Sequence, residues 1–282
     1  MASDYAHLLT EDEKWQFDLQ GFLHLRGVVT PDRLSSILEV IDHWLSVDEK
    51  EIPAPVLRHR QEPYKTHLDH IQYGHPLFQA LNTDPEIIRV VAGLTMGRPR
   101  LFHCNFTKMD QASPEDKSDQ AYHRDDSGFK FPPGFRNPHN DYQAMGGEIY
   151  CSHLATWIAL ADVPKGTGFS LVPGSHKSAF STPQGLKVGD HPPVSITIPM
   201  QAGDVLVFST HVLHDAAKWT RDYPRMNIFQ RYQLSIYFNE TGKGGLPFEE
   251  YRDQITAEEY ELESLSKTEK SSVTRMRQHF EL

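Results

Sequence analysis

The chain has little cysteine, no long apolar run and no basic cluster, and each absence removes a class of protein. Its two cysteines, Cys104 and Cys151, form no Cys-x-x-Cys pair. That argues against a disulfide framework or a thiolate zinc site and fits a reducing compartment. No apolar stretch approaches the roughly 20 residues of a membrane-spanning helix. The opening Met-Ala-Ser-Asp-Tyr-Ala-His lacks the basic-then-apolar order of a secretory signal, and the closing Phe-Glu-Leu is not the peroxisomal Ser-Lys-Leu. The expected location is therefore the cytoplasm. A formal net charge of −10, with no run of Lys or Arg, makes nucleic acid and anionic membranes poor partners.

What is present suits a soluble globular protein. With 38% hydrophobic and 23% charged residues in a chain of 282, a substantial core can be buried in one large domain. The region 1–97 reads as mostly helical. Thr10 is placed to cap a helix over Glu11–Gln20, Glu13 completes a capping box, and Gly21 closes it. Phe22–Val28 looks like a short strand. Thr30-Pro31 opens a second helix with Leu34, Ile37, Leu38, Ile41 and Leu45 on one face. Glu51–Pro63 reads as loop, and Pro85–Met96 as a helix burying Ile87, Ile88, Val91 and Leu94.

From about residue 98 the pattern changes to short β-branched and aromatic runs punctuated by Gly and Pro. They are Arg100–Lys108, Leu154–Val163, Phe169–Val172, Val194–Ile198, Asp204–Ser209 and Met226–Phe238. Such spacing indicates a β-sandwich or barrel over residues 98–240. A Pro-, Gly- and Asn-rich stretch, Ser127–Gly147, reads as a long lid or binding loop. Residues 241–282 form a polar tail, expected as helix outside the barrel.

The chain carries 16 histidines and three His-x-Asp triplets: His67/Asp69, His123/Asp125 and His139/Asp141. Two imidazoles and one carboxylate, with open positions left over, form the ligand set of non-haem Fe(II) oxygenases. One intervening residue puts both members of a triplet on the same face of an extended chain. The first triplet lies among the predicted helices and the third in the long loop, where rigid support is poorest. His123 and Asp125 follow the first predicted core strand. For the third ligand, His211 and His214 are both open. Three residues apart, they point to opposite faces of a strand, so one of them at most is a ligand. Arg225 opens the last long strand, either as a surface turn residue or as a bidentate partner for a carboxylate.

The ordered motifs resemble the phytanoyl-CoA dioxygenase family of Fe(II)/2-oxoglutarate-dependent oxygenases, over roughly residues 8–240. The opening Leu9–Phe22 segment, His123-Arg124-Asp125, Trp157–Val163, Val172-Pro173-Gly174-Ser175-His176-Lys177, Ala202–Phe208, Leu213-His214-Asp215 and Tyr223-Pro224-Arg225 stand in the family's order. The resemblance implies a mainly β fold with flanking helices, a double-stranded β-helix or jelly roll. It implies Fe(II) held by His123, Asp125 and His214, which favours His214 over His211. It implies 2-oxoglutarate as cosubstrate, its far carboxylate on Arg225, with O2 as oxidant. Asn105, Gln120 and Trp157 match positions where the family places polar or packing contacts to the cosubstrate. His214 is followed by Asp215-Ala216, where the family commonly has Gly-Ser, so a serine contact is not carried over. Phe129 and Phe135, in the long loop, are candidate contacts to an apolar substrate. Asp125 argues for hydroxylation or another oxidation over halogenation, which requires that carboxylate to be missing. The acidic composition favours a small apolar or mixed metabolite as substrate. The alternative is a metal-binding β-helix protein without oxygenase activity, acting in binding or regulation.

Overall fold

Thr10 begins the first helix as its pattern predicts. Its hydroxyl accepts the Glu13 N–H at 3.2 Å, and the Glu13 carboxylate accepts the Thr10 N–H at 2.8 Å. In the computed structural model, which describes residues 7–62, 64–97, 99–111, 122–125, 141–180, 195–217, 219–234 and 247–264, this helix is α1, Glu11–Gln20. Gly21 ends it with φ +83°, and a Cβ there would lie 2.4 Å from the Val212 side chain. Glycine is thus required both for the turn and for the close approach of α1 to the segment before His214.

Strand β1 (Phe22–Leu25) and helix α2 (Pro31–Ser46) follow, the latter with Pro31 at its first position and Ile37, Ile41 and Trp44 buried. The Glu51–Pro63 region is not all loop: β2 (Leu57–Glu62) pairs with β3 (Lys65–Asp69) as a hairpin. Charged residues at alternate positions mask this strand pair, because a strand with one face turned to solvent carries half its residues polar. Short helices α3 (Ile71–Gly74) and α4 (Pro76–Asn82) lead to α5 (Pro85–Leu94), which buries the expected Ile87, Ile88, Val91 and Leu94.

The remaining strands are β4 (Pro99–Met109), β5 (Tyr142–Met145), β6 (Glu148–Cys151), β7 (His153–Ala159), β8 (Phe169–Val172), β9 (Ile196–Thr197), β10 (Val205–Ser209), β11 (Leu213–Ala216) and β12 (Arg225–Leu234). They form a seven-stranded antiparallel sheet of order β1-β10-β7-β12-β4-β3-β2, a three-stranded sheet β11-β8-β9, and the β5–β6 hairpin. The end of the expected long loop is therefore ordered as β5. Tyr142, on this strand, packs near Phe17 and donates to Asp18 at 2.7 Å.

Period-two alternation sorts each central strand between two cores. Leu154 and Ile158 of β7, Val205 and Val207 of β10, and Ile228 and Tyr232 of β12 face the helices. Ala155, Trp157 and Ala159, with Leu206 and Phe208, face the smaller sheet and meet Phe169 and Leu171. The result is the mainly β, double-stranded β-helix expected from sequence. Helix α6 (Ala257–Ser264) packs against the helix-covered face, where Glu259 accepts from Asn82 at 2.6 Å and Glu263 accepts from Gln72 at 3.0 Å. No helix among the described residues is long and apolar enough to cross a membrane.

Candidate metal centre

Backbone pairing brings the candidate ligands together. His123 and His214 form an antiparallel bridge, each amide donating to the other's carbonyl at 3.1 and 3.0 Å. The Asp125 amide donates to Thr210 O at 3.0 Å, and the Thr210 hydroxyl donates to Asp125 O at 3.1 Å. Residues 122–125 thus run beside β11 as a short extra strand, and alternation turns His123 and Asp125 to one face. One ligand atom from each of His123, Asp125 and His214 lies within 4.8 Å of the others. His123 is exposed, Asp125 half-buried and His214 buried, so the cluster sits at the mouth of a cavity.

The neighbours of His214 fix its chemistry. Its Nδ1–H donates to the Val212 carbonyl at 2.7 Å, which leaves the Nε2 lone pair for a metal. Phe169 stacks on the ring at 5.7 Å and Phe208 meets it edge-on at 5.1 Å. Burial, followed by the neighbouring His123, lowers the His214 pKa, so the imidazole stays neutral and ready to ligate. Arg124, between the two proximal candidates, donates from Nε to His211 O at 3.0 Å and from Nη2 to Ser175 O at 3.1 Å. It ties the 122–125 segment to the Gly174-Ser175 turn.

His211 is placed elsewhere. It is fully buried, with Nε2 3.0 Å from Ser152 Oγ and 3.7 Å from Asp141 Oδ1. Asp141, from the third triplet, therefore supports a buried histidine; His139 lies outside the described residues.

The cavity has a volume of about 210 Å³ and is walled by the inner face of the large sheet and by β8 and β11. Arg225 lines it at 5% exposure, and its Nε and Nη1 have no hydrogen-bond partner among the described residues. Burial lowers its pKa to about 10, opposed by nearby Asp215. The group is still a cation at neutral pH. Its guanidinium lies 5.8 Å from the Trp157 ring centroid. A buried cation with unused donors fits a carboxylate arriving from outside the chain. Trp157 Nε1 and Asn105 Oδ1 line the same cavity and likewise lack partners. Gln120, Phe129 and Phe135 lie outside the described residues.

Sequence reading missed several wall residues. His67, whose triplet the sequence pattern places among helices, sits on β3 in the large sheet and lines the cavity with Thr107. The alternation Lys65, His67, Asp69 was the available signal. Phe229 and Arg231 share the inward face of β12 with Arg225, as their even spacing from it requires.

A profile of the phytanoyl-CoA dioxygenase (PhyH) family matches residues 17–227. Among solved structures, HygX from Streptomyces hygroscopicus, with nickel and 2-oxoglutarate bound, is similar at TM-score 0.65 and 18% identity, over 80% of this chain and 87% of its own. The epimerase SnoN from nogalamycin biosynthesis matches at TM-score 0.58 and 22% identity, over 82% and 85% of the two chains. The carbocyclase SnoK from the same biosynthesis matches at TM-score 0.58 and 20% identity, over 90% and 94%. No curated protein matches. At these identities the structures show the fold; the family profile, which spans all three candidate ligands and Arg225, shows more. This chain belongs to the phytanoyl-CoA dioxygenase family, whose members are Fe(II)- and 2-oxoglutarate-dependent oxygenases that use O2.

Proposed function

We propose that the protein hydroxylates an unactivated C–H bond of a small organic metabolite, with His123, Asp125 and His214 holding Fe(II) and Arg225 holding 2-oxoglutarate. The observation that carries this reading is the pairing of a two-histidine, one-carboxylate cluster with a buried guanidinium that has no hydrogen-bond partner among the described residues, in one cavity. The donor set suits Fe(II), and three ligands on one side leave positions for a chelating keto acid and for oxygen. When bound, iron and 2-oxoglutarate supply oxidation by O2, with succinate and CO2 as the cosubstrate's products.

The chain's own residues position and insulate that chemistry. The Val212 carbonyl holds His214 in one tautomer, and Phe169 and Phe208 keep water from its buried side. Arg225 binds the far carboxylate through two parallel donors at low dielectric, where a charge-assisted pair is strongest. Trp157 packs beside it, and its unpartnered indole N–H, with Asn105, gives the cavity further polar contacts. Asp125 fills the position a halide would need, which favours hydroxylation over halogenation. The whole chain acts as one dioxygenase domain in this reading, and its two buried free thiols suit the cytosol.

The test is succinate formation by purified protein with Fe(II), 2-oxoglutarate, air and a panel of small metabolites. Metabolite-dependent succinate, with the hydroxylated metabolite as partner product, is expected, and none from Asp125→Ala. Equal succinate from both proteins refutes the assigned centre, and none from either across the panel refutes the activity and favours a binding protein. An epimerised or cyclised product would retain the centre and correct the reaction type.

A further inference from the structure

The cavity wall carries more positive charge than the cosubstrate uses. Lys65, Arg225 and Arg231 line it, against the carboxylates of Asp125 and Asp215, and Asp125 belongs to the candidate ligand set. The chain is acidic overall, so this local excess is built against the protein's own balance.

Arg225 opens β12 and Arg231 stands towards its other end, and both line the cavity. Both side chains take the inward face of β12, six residues apart, about 20 Å along a strand. Their surroundings differ. Arg225 is buried with Asp215 as its charged neighbour. Arg231 is half-buried, in register with His103 and Ala155, and interacts electrostatically with His67, His103 and His214.

Arg231 has no carboxylate partner among the described residues. Its Nη1 donates to His103 Nδ1 at 3.3 Å, and the nearby Asp69 lies 3.7 Å from His59 and from His103 instead. Beside it stands a second donor. His67 Nδ1 accepts from the Thr107 hydroxyl at 3.0 Å and from Asn105 Nδ2 at 3.4 Å, which makes Nε2 the protonated nitrogen. That N–H is buried and has no partner among the described residues. Burial, and then the surrounding cations, lower the His67 pKa to about 4, so this donor is neutral at physiological pH. Phe229 lies beside Arg231, its ring centroid 5.8 Å from the guanidinium, and offers an apolar surface in the same cavity wall.

We propose that Arg231, with His67 Nε2–H, forms a second anion subsite in the wall of the cavity, and that the primary substrate is an organic acid whose carboxylate binds there. The proposal rests on the dioxygenase reading above and names its substrate class. An acid anchored at Arg231 lays its carbon chain along Phe229 towards the His123/Asp125/His214 cluster. Arg231 is then a specificity-determining residue, distinct from the cosubstrate's anchor.

The test uses full-length protein loaded with Ni(II), which does not support turnover, and with 2-oxoglutarate. Calorimetry gives the affinities of butyrate, hexanoate, benzoate and phenylacetate, each beside its primary amide. Acids are expected to bind about tenfold or more tightly than their amides, the preference a desolvated Arg–carboxylate pair gives. Arg231→Gln should bring that ratio near one, and Arg231→Lys should keep part of it. Amides binding as well as acids, no acid binding at all, or a ratio that survives Arg231→Gln would each overturn the subsite. Titration of the Ni(II) protein with 2-oxoglutarate alone separates the two claims. Failure of that titration refutes the dioxygenase reading, whereas cosubstrate binding without acid preference refutes this inference alone.

Discussion

Replacing Arg225 with Met should move stability and cosubstrate affinity in opposite directions. Burial lowers the Arg225 pKa from 12.5 to about 10, equivalent to roughly 3 kcal/mol of unrelieved charge burial. Met keeps most of the volume and removes the charge. The metal-free variant should therefore gain about 1–3 kcal/mol, or a few °C in Tm. The same change deletes a bidentate, charge-assisted contact worth roughly 2–3 kcal/mol, so the 2-oxoglutarate Kd should rise about 30- to 150-fold. At a concentration of about 100 times the wild-type Kd, 2-oxoglutarate should stabilise the metal-loaded wild type by about 2.7 kcal/mol and the variant by less than about 1 kcal/mol. Thermal melts with and without cosubstrate, and calorimetry on the Ni(II) form, read both effects. A variant that binds 2-oxoglutarate as tightly as wild type, or that is less stable without it, would show that the guanidinium is a structural group.

Asp125→Ala and His214→Ala should each remove metal binding and succinate formation together, measured by metal content after dialysis and by product; retained turnover in either would displace it from the ligand set. Arg124→Met breaks the ties to His211 O and Ser175 O, and should weaken Fe(II) binding roughly 10- to 100-fold with the fold intact; unchanged affinity under competition with a chelator would refute its positioning role. Glu259 is buried and its pKa is raised, first by burial and then by Glu263. The folded protein holds that proton while the unfolded chain releases it above its ordinary 4.5, so this group costs stability as pH rises from about 5. Glu259→Gln, which keeps an acceptor for Asn82, should raise Tm more at pH 8 than at pH 5; an equal change at both would exclude the linkage.

The parts of the fold legible in sequence were those with strong local signals. The Thr10–Glu13 capping box, Gly21, the Pro31 and Pro85 helix starts, and the short apolar strands of residues 154–209 all stand where their patterns put them. The β2–β3 hairpin was missed because its residues are nearly all polar or charged, with Leu57 and Leu68 its two apolar positions, and follow prolines, a pattern shared by loops and by edge strands. That miss carried a second one, since it removed the strand that brings His67 to the cavity. Choosing between His211 and His214 needed more than spacing. The structure separates them by three-dimensional neighbours: Ser152 and Asp141 beside one, His123 and Asp125 beside the other. The charge of the cavity was equally hidden, because a total of −10 says nothing about which few side chains point inward.

The most direct test of the central claim is where the metal sits. Crystals grown without oxygen, with Fe(II) and 2-oxoglutarate, would locate iron by anomalous scattering at its absorption edge. The account predicts one strong peak within bonding distance of His123, Asp125 and His214 Nε2, with the far carboxylate of 2-oxoglutarate on Arg225. Iron bound at His67 or His211, or no peak at the triad in fully loaded crystals, would contradict it.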